Sequence, residues 1–221
     1  VHRFGDVADL QPNAHYADAM IDILVDALMA VTGVTTVIMN GTGRARTLEG
    51  LIEKTEVMRG TAPTAPISVP MNGATYMADV MGGQKTGLFF DQRPNHAFAA
   101  GLSKDATVLD VFSHVGGFGL AALAGGAASV LAVDGSAPAL ALAEEGAAAM
   151  GVSDKFTTRK GDAFATLEAL AEEGAQFDVV ICDPPAFAPG RKSLDAGLRA
   201  YERVARLAAG LVKDSGYLGV C

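Results

Sequence analysis

The sequence predicts an α/β fold, a doubly wound and mostly parallel sheet preceded by a small α+β region. Two observations lead to this prediction. From residue 107 onward, short apolar segments alternate with Ala-rich segments of helical length, the order typical of a parallel sheet with helices on both faces. The segments at 107–112 and 177–182 are also almost continuously apolar, as strands buried on both faces are.

A proline-rich seam divides the chain into two regions. The segment GTAPTAPISVP at 60–70 contains three prolines and predicts an irregular connection. We therefore expect a small α+β domain over residues 1–66 and a larger domain over residues 67–221.

The small domain contains one clear helical pattern. Asn13 is a candidate cap for a helix over 14–31, and a strand is expected at 35–39. The apolar face of this helix comprises Ile21, Leu24, Val25, Leu28 and Val31. The opposite face carries Asp18, Asp22 and Asp26, which we interpret as a solvated surface.

The larger domain is expected to open with a β-hairpin. Asn72 and Gly73 separate two alternating segments, 67–71 and 75–80, and Asn-Gly is a strong hairpin signal because both residues tolerate positive φ. The strands expected next are 107–112, 129–133, 156–160, 178–182 and 218–221. A helix is expected before these strands, near 97–102, and the helices expected between the strands are 118–125, 137–149, 163–173 and 193–213.

Composition limits the function. The 221 residues include only two cysteines, too few for a disulfide framework or a metal cluster, and no segment has the length of a membrane span or the pattern of a signal peptide. A reducing cytoplasmic location is therefore expected. The net charge of −8 argues against a generic nucleic-acid binder. A local basic groove remains open, with Arg44, Arg46, Lys54, Arg59, Arg191 and Lys192 as candidates.

The turn after the strand at 107–112 is suited to a polar ligand. Gly116 and Gly117 permit close backbone approach, and the following helix offers free N–H groups. Residues 117–122 also match a dinucleotide-binding pattern, but they lie too far beyond the strand for that role. Asp110 would repel a pyrophosphate and would suit a ligand with a positive amino group.

Two further aspartates follow the next two strands. Asp134 is placed to accept hydrogen bonds from ribose hydroxyls. Asp162 could accept from an adenine amino group or could cap the next helix. An adenosine with a zwitterionic amino-acid tail fits the whole set, and that ligand is S-adenosylmethionine.

Four motifs, GGQKTGLFFDQRPN, LDVFSHVGGFG, VDGS and CDPPAF, together resemble one family. The chain is similar to class I methyltransferases that form 5-methylcytosine in large-subunit ribosomal RNA, and in particular to the bacterial rRNA large subunit methyltransferase I family. The first residues, VHRFGD, resemble a segment of that family's central domain. The resemblance thus implies that the N-terminal RNA-binding PUA domain is absent and that residues 1–66 are part of the central domain.

The resemblance implies roles for individual residues. Gln92 and Arg93 would hold the carboxylate end of the cofactor, and Lys85 and Asp91 would organise the same loop. Asp183 would lie beside the sulfonium and the target base, as the candidate catalytic residue. The remaining cofactor residues would be Asp110, Phe112, Ser113, Gly116, Gly117, Asp134, Gly135, Asp162, Ala163 and Pro184. Pro185 and Phe187 would shape the base pocket.

Methylation at carbon 5 of cytosine requires a thiolate that adds to carbon 6. Cys182 lies within an apolar strand and is interpreted as a core residue. Cys221 ends the last strand, but the resemblance places the family's nucleophile about two residues beyond it. We therefore expect a chain that ends before its nucleophile and that binds the cofactor without turnover.

Two other functions remain open. Related 7-methylguanine enzymes share a similar loop and motif and need no thiolate, and an NAD-dependent oxidoreductase would use the 117–122 pattern but gives no role to the Asp183 motif. A non-catalytic RNA-binding module is disfavoured by the acidic composition. The expected partner is large-subunit ribosomal RNA, without a membrane or a metal, and the oligomeric state stays open, a homodimer included.

Overall fold

The computed structural model describes residues 1–82, 88–188 and 190–221. The chain divides into two compact units. One unit comprises Val1–Val69 and the described residues of 78–86, and the other comprises Pro70–Met77 and the described residues of 87–221.

The first unit is a four-stranded sheet with helices. Its strands are β1 (His2–Phe4), β2 (Val7–Leu10), β3 (Thr36–Gly41) and β4 (Lys54–Arg59), in that spatial order. The middle pair is parallel and the outer two pairs are antiparallel. The helices are α1 (His15–Ala19), α2 (Ile21–Thr32) and α3 (Arg44–Leu48). A small core joins Ala8, Leu10, Val25, Val34 and Val37.

The prediction of one helix over 14–31 is partly wrong. The helix is interrupted at Met20, and the N-cap position is Ala14, which has no side-chain cap, rather than Asn13. The buried face is also rotated: Val25 is fully buried, whereas Leu24 and Val31 are exposed. Met29 packs on the core in their place, so helical periodicity located the helix but not the edge of its buried face.

The prediction that Arg46 contributes to a basic groove is wrong. This side chain is 2% exposed and pairs with Asp18, with 2.7 Å between Nη1 and Oδ1. Its guanidinium also donates to the carbonyl oxygens of Pro12 and Ile52. Lys54 pairs with Glu56, and Arg59 pairs with Asp22 and Asp26. These three cations therefore form ion pairs with carboxylates of the same unit.

The second unit contains the parallel sheet that the sequence predicts. Its five strands are β7 (Thr107–Val111), β8 (Ser129–Asp134), β9 (Phe156–Lys160), β10 (Phe177–Cys182) and β11 (Val212–Val220). They are all parallel, in the order β11-β10-β7-β8-β9. The helices are α4 (Arg93–Leu102), α5 (Gly117–Ala124), α6 (Ala137–Ala149), α7 (Ala163–Glu172) and α8 (Leu194–Ala209). In a parallel sheet all carboxyl ends lie at one edge, which is where ligands bind.

The last strand begins earlier than expected. The sequence KDSG at 213–216 resembles a turn. For this reason the sequence did not predict the first half of β11. The structure accommodates it as an irregularity: the pairing shifts from Phe177 with Val212 to Val179 with Tyr217, and Ser215 takes a φ of 65°. Helix α8 correspondingly ends at Ala209 rather than at residue 213.

The predicted hairpin is confirmed as β5 (Ile67–Met71) and β6 (Ala74–Ala78). Asn72 and Gly73 have φ values of 53° and 78°, as a type I′ turn requires. Tyr76 is fully buried, and its hydroxyl donates to the Gly117 carbonyl oxygen at 2.9 Å. The tip of the hairpin therefore contacts the first turn of α5.

One core cluster of the second unit lies between the sheet and the helices α7 and α8. It contains Leu109, Val111, Val133, Leu167, Leu170, Val180, Val204, Ala208 and Leu211. In the part of the chain that the structure describes, no helix combines the length and the apolar character needed to cross a membrane.

A polar cluster ties three strands together at the edge opposite the carboxyl ends. The carboxylate of Asp178 accepts hydrogen bonds from the backbone N–H and the hydroxyl of Thr107, at 2.8 and 2.7 Å. It also accepts from Lys213 Nζ at 2.9 Å. These bonds, led by the one from the Thr107 backbone, lower the pKa of Asp178 to about 2.

We expect Asp178→Asn to destabilise the protein in a pH-dependent way. The folded pKa lies below the ordinary value of 3.8, so the carboxylate contributes stability above about pH 4 and loses it as the pH falls toward 2. Because the side chain is 40% exposed, solvent screening reduces the effect to about 1 kcal/mol at pH 7. Urea unfolding at pH 7 and pH 2.5 measures it. An equal loss at both pH values would contradict this origin.

Candidate functional site

The turn between β7 and α5 is held in an unusual backbone conformation. Phe112, His114 and Gly116 have φ values of 64°, 47° and 80°. Positive φ at non-glycine residues costs energy and clusters at functional sites. A Cβ at Gly116 would lie 3.1 Å from both Ala143 and Leu120, so a side chain there would crowd these neighbours in addition to straining the backbone.

Asp110 is completely buried beneath this turn. One carboxylate oxygen, Oδ2, accepts a hydrogen bond from the Gly119 backbone N–H at 2.7 Å. The other oxygen, Oδ1, and the hydroxyl of Ser113 are buried without a hydrogen-bond partner among the described residues. Burial, with smaller contributions from Asp183 and Asp134, raises the pKa of Asp110 to about 7. A native protein rarely leaves such groups unpaired unless a ligand or water completes them.

Asp134 ends β8 and organises the same turn from the neighbouring strand. Its Oδ2 accepts from the His114 backbone N–H at 2.9 Å, and its Oδ1 accepts from the Ser136 backbone N–H at 2.8 Å. Each carboxylate oxygen can accept a second bond. Gly135, beside it, is exposed. The predicted role of Asp134 with ribose hydroxyls stays a prediction.

Asp162 caps helix α7. Its Oδ1 accepts from the Ala165 backbone N–H at 3.0 Å, and the residue is exposed while Ala163 is buried. The sequence left a cap and an adenine contact open for Asp162. The structure has the cap, and the adenine contact remains a prediction.

Two more carboxylates complete the edge. Asp183 directly follows β10, and its backbone N–H donates to the Val111 carbonyl oxygen at 3.3 Å. The carboxylate is half-buried, and burial together with the nearby charge of Asp91 raises its pKa. Asp91, Asp134 and Asp183, together with Asp110 when it is ionised, thus create a negative field at the carboxyl ends of the strands, which favours a positively charged ligand.

The loop that precedes α4 is described only in part. Lys85 lies outside the described residues. Gln92 accepts a hydrogen bond from Asn95, and the Arg93 carbonyl oxygen accepts one from the Asn72 side chain. Arg93 is exposed, so its side chain is accessible to an anionic group. The predicted contact of Gln92 and Arg93 with the cofactor's carboxylate remains a prediction.

His96 is a site residue that the sequence did not reveal. Its ring is 4% exposed and packs against Phe118, with 4.5 Å between ring centroids, and against Tyr76. Burial lowers the pKa of His96 to about 4, so the ring is neutral at pH 7. A Cβ at Gly117 would lie 3.1 Å from its Nε2. His96 therefore packs against the first turn of α5. No sequence motif identifies it.

The segment after Asp183 carries the predicted base pocket. Pro184 is half-buried and Pro185 is exposed. The Phe187 ring packs with other aromatic rings, with centroids 4.9 Å from Tyr201, 5.8 Å from Phe164 and 6.2 Å from Phe112. Phe187 therefore anchors this segment to the core, and a role in shaping the pocket remains a prediction.

Neither cysteine is set up as a strong nucleophile. Cys182 is buried, and this burial raises the pKa of its thiol to about 12. Cys221 is exposed, but partial burial and the charges of Asp183 and Asp110 also raise its thiol pKa. Low thiol pKa values mark reactive cysteines. Within the described ranges 1–82, 88–188 and 190–221, no cluster of three or more His, Cys, Asp or Glu side chains is suited to a metal.

Comparison with known proteins identifies the family. A family model described as "Conserved hypothetical protein 95" matches residues 91–202. Ribosomal RNA large subunit methyltransferase I of Shewanella denitrificans is 34% identical over 219 residues, which is 99% of this chain and 55% of that protein. The chain belongs to the ribosomal RNA large subunit methyltransferase I family. The Vibrio vulnificus member is 38% identical over 198 residues, covering 88% of this chain and 50% of the relative.

The chain thus spans about half the length of the curated family members that it matches. Among solved structures, SMU.776 in complex with SAH superposes with a TM-score of 0.80 at 21% identity, over 97% of this chain and 55% of that chain. A SAM-dependent methyltransferase from Agrobacterium tumefaciens gives 0.68 at 18% identity, over 86% of this chain and 60% of that chain. These likenesses place the fold of this family member among class I methyltransferases.

Proposed function

We propose that the chain is the cofactor-binding and methyl-transfer part of an S-adenosylmethionine-dependent RNA methyltransferase that acts on large-subunit ribosomal RNA. The observation that carries the proposal is the buried carboxylate of Asp110. It has an unpartnered oxygen, and it lies among other carboxylates at the carboxyl ends of the parallel strands. The family membership and the acidic character of this edge support the same conclusion.

The residues fit this cofactor. The ammonium group of its amino-acid tail requires an acceptor, and Asp110 Oδ1 and the Ser113 hydroxyl are buried groups without a partner among the described residues. The ribose requires an acceptor at the end of β8, where Asp134 lies. A sulfonium requires a negative environment, which Asp183 and Asp91 supply. A pyrophosphate would be repelled by the same groups, which argues against a dinucleotide.

When bound, S-adenosylmethionine supplies a methyl group activated by the positive sulfur. The protein's part is to orient that group and the accepting base, and to exclude water between them. Asp183 would lie beside both, and Pro184 and Pro185 would form the wall on which the base rests. We expect the base to be cytosine and the accepting atom to be carbon 5, as the family resemblance implies.

The raised pKa values of the two thiols support a second candidate reaction, methylation of guanine. Attack from carbon 5 of cytosine requires a thiolate, and burial raises the thiol pKa of both Cys182 and Cys221. Methylation of guanine at nitrogen 7 requires none, because that nitrogen is itself nucleophilic. The guanine reaction is therefore the second candidate function.

Titration with S-adenosylmethionine, S-adenosylhomocysteine and NAD tests the cofactor assignment. We expect micromolar binding of the first two and none of NAD. Asp134→Ala should weaken S-adenosylmethionine binding by about 10- to 100-fold, because hydrogen bonds to a charged acceptor contribute about 1.5–3 kcal/mol. Isothermal calorimetry measures both. Asp154→Ala, an exposed carboxylate in the same unit, is the matched control.

Two outcomes would contradict the assignment. Binding of NAD without binding of S-adenosylmethionine would support an oxidoreductase instead. Equal affinities of the Asp134→Ala and Asp154→Ala variants would exclude the ribose role of Asp134. The base is decided separately, by nucleoside mass analysis of ribosomal RNA from cells with and without the full-length gene. Loss of 5-methylcytidine supports the cytosine reaction, and loss of 7-methylguanosine supports the alternative.

A further inference from the structure

Helix α8 contacts the segment that follows Asp183 at two positions one turn apart. The Tyr201 hydroxyl accepts a hydrogen bond from the Phe187 backbone N–H at 3.2 Å and donates one to the Pro185 carbonyl oxygen at 3.4 Å. Gly197, four residues earlier and on the same face, lies against Ala188: a Cβ there would come within 2.6 Å of the Ala188 Cβ. One face of α8 thus contacts this loop in two ways, through the hydrogen bonds of Tyr201 and through close packing at Gly197.

The side chains reinforce this contact. The Tyr201 ring packs on Phe187 with 4.9 Å between centroids, and Phe187 also packs on Phe164. The Arg203 guanidinium lies 4.8 Å from the centroid of Phe164. Proline at 184 and 185 already restricts the backbone. The hydroxyl of Tyr201 fixes the part of the loop that the prolines leave free, from the Pro185 carbonyl to the Phe187 amide.

We propose that Tyr201 is a positioning residue for methyl transfer: its hydroxyl, with the close contact at Gly197, sets the orientation of the loop from Pro185 to Phe187 and thereby of the target base. This inference rests on the proposed function, because the loop is the wall of the proposed base pocket. Tyr201 touches neither the cofactor site nor Asp183 through its hydrogen bonds. Its loss should therefore affect the transfer step and leave cofactor binding unchanged.

The test is Tyr201→Phe in the full-length protein, with Tyr217→Phe as the control at an exposed tyrosine of the same unit. We expect kcat with ribosomal RNA to fall about tenfold, since small misplacements of reacting groups cost up to about a hundredfold. The KM for S-adenosylmethionine should stay within about twofold. In hydrogen exchange, the Phe187 amide should lose protection in Tyr201→Phe and keep it in Tyr217→Phe.

Gly197→Ala is an independent second variant. A methyl group there pushes the loop away from α8, so it should reproduce the loss of kcat with cofactor binding intact. Unchanged kcat in Tyr201→Phe, or unchanged protection of the Phe187 amide, would overturn the inference. Failure of the unmodified protein to bind S-adenosylmethionine would instead overturn the proposed function, and the calorimetric titration separates the two cases.

Discussion

Replacement of Asp110 by Asn is expected to stabilise the ligand-free protein at pH 8 and to weaken S-adenosylmethionine binding at least tenfold. The buried carboxylate has a pKa raised from 3.8 to about 7. Its folded form therefore favours the proton, and the stability that this contributes below about pH 4 is lost as the pH rises to 7. Asn stays neutral throughout and keeps an oxygen that can accept from the Gly119 N–H.

The pH dependence separates this effect from a general change in packing. Each pKa unit corresponds to about 1.4 kcal/mol, so the free energy of unfolding of Asp110→Asn relative to the unmodified protein should rise by about 2 kcal/mol between pH 5 and pH 8. Urea unfolding measures it, with Asp154→Asn as the control. A constant difference at both pH values would refute the electrostatic cause. Unchanged cofactor affinity would remove Asp110 from the binding site.

Replacement of Arg46 by Ala should strongly destabilise the first unit. The side chain is buried, pairs with Asp18, and donates hydrogen bonds to the carbonyl oxygens of Pro12 and Ile52. Breaking a buried ion pair by removing one partner costs about 3–5 kcal/mol. Because Asp18 is 30% exposed and can regain water, we expect a loss at the lower end of that range, about 3 kcal/mol.

Arg44→Ala is the matched control, since Arg44 lies on the same helix and is exposed. Denaturant unfolding followed by circular dichroism should show a large loss for Arg46→Ala and almost none for Arg44→Ala. Arg46→Lys should recover only part of the loss, because an ammonium group cannot serve three acceptors in the planar geometry of a guanidinium. Similar stabilities of the two alanine variants would contradict the structural role of Arg46.

The larger fold was predictable because its signals are local. Apolar strands alternate with helices, and the Asn72-Gly73 turn fixes the hairpin through positive φ, which few other residues tolerate. The strand-end positions of Asp110, Asp134 and Asp183 follow from the same alternation, because parallel strands bring their carboxyl ends to one edge. The spacing of these carboxylates along the sequence is therefore enough to predict that they share that edge.

The remaining features depend on contacts between distant residues. Arg46 resembles any surface cation in the sequence, and only the approach of Pro12, Asp18 and Ile52 makes it a core residue. Tyr201 and His96 carry no motif, because a lone aromatic in an amphipathic helix is indistinguishable from a packing residue. The irregular pairing of β11 likewise depends on its contact with β10. The turn-like residues at 213–216 do not indicate this pairing in the sequence.

The hairpin tip, residues 70–77, belongs to the packing of the second unit. Within residues 70–77, Asn72 binds the Arg93 carbonyl, Tyr76 binds the Gly117 carbonyl, and a Cβ at Gly146 would come within 2.8 Å of the Thr75 carbonyl oxygen. This short segment thus contacts three elements that lie far apart in the sequence. An expression boundary drawn after the hairpin would leave an empty slot where Tyr76 packs, and large-to-small losses of buried aromatics cost about 3–5 kcal/mol. A fragment that retains these contacts therefore begins at or before Pro70.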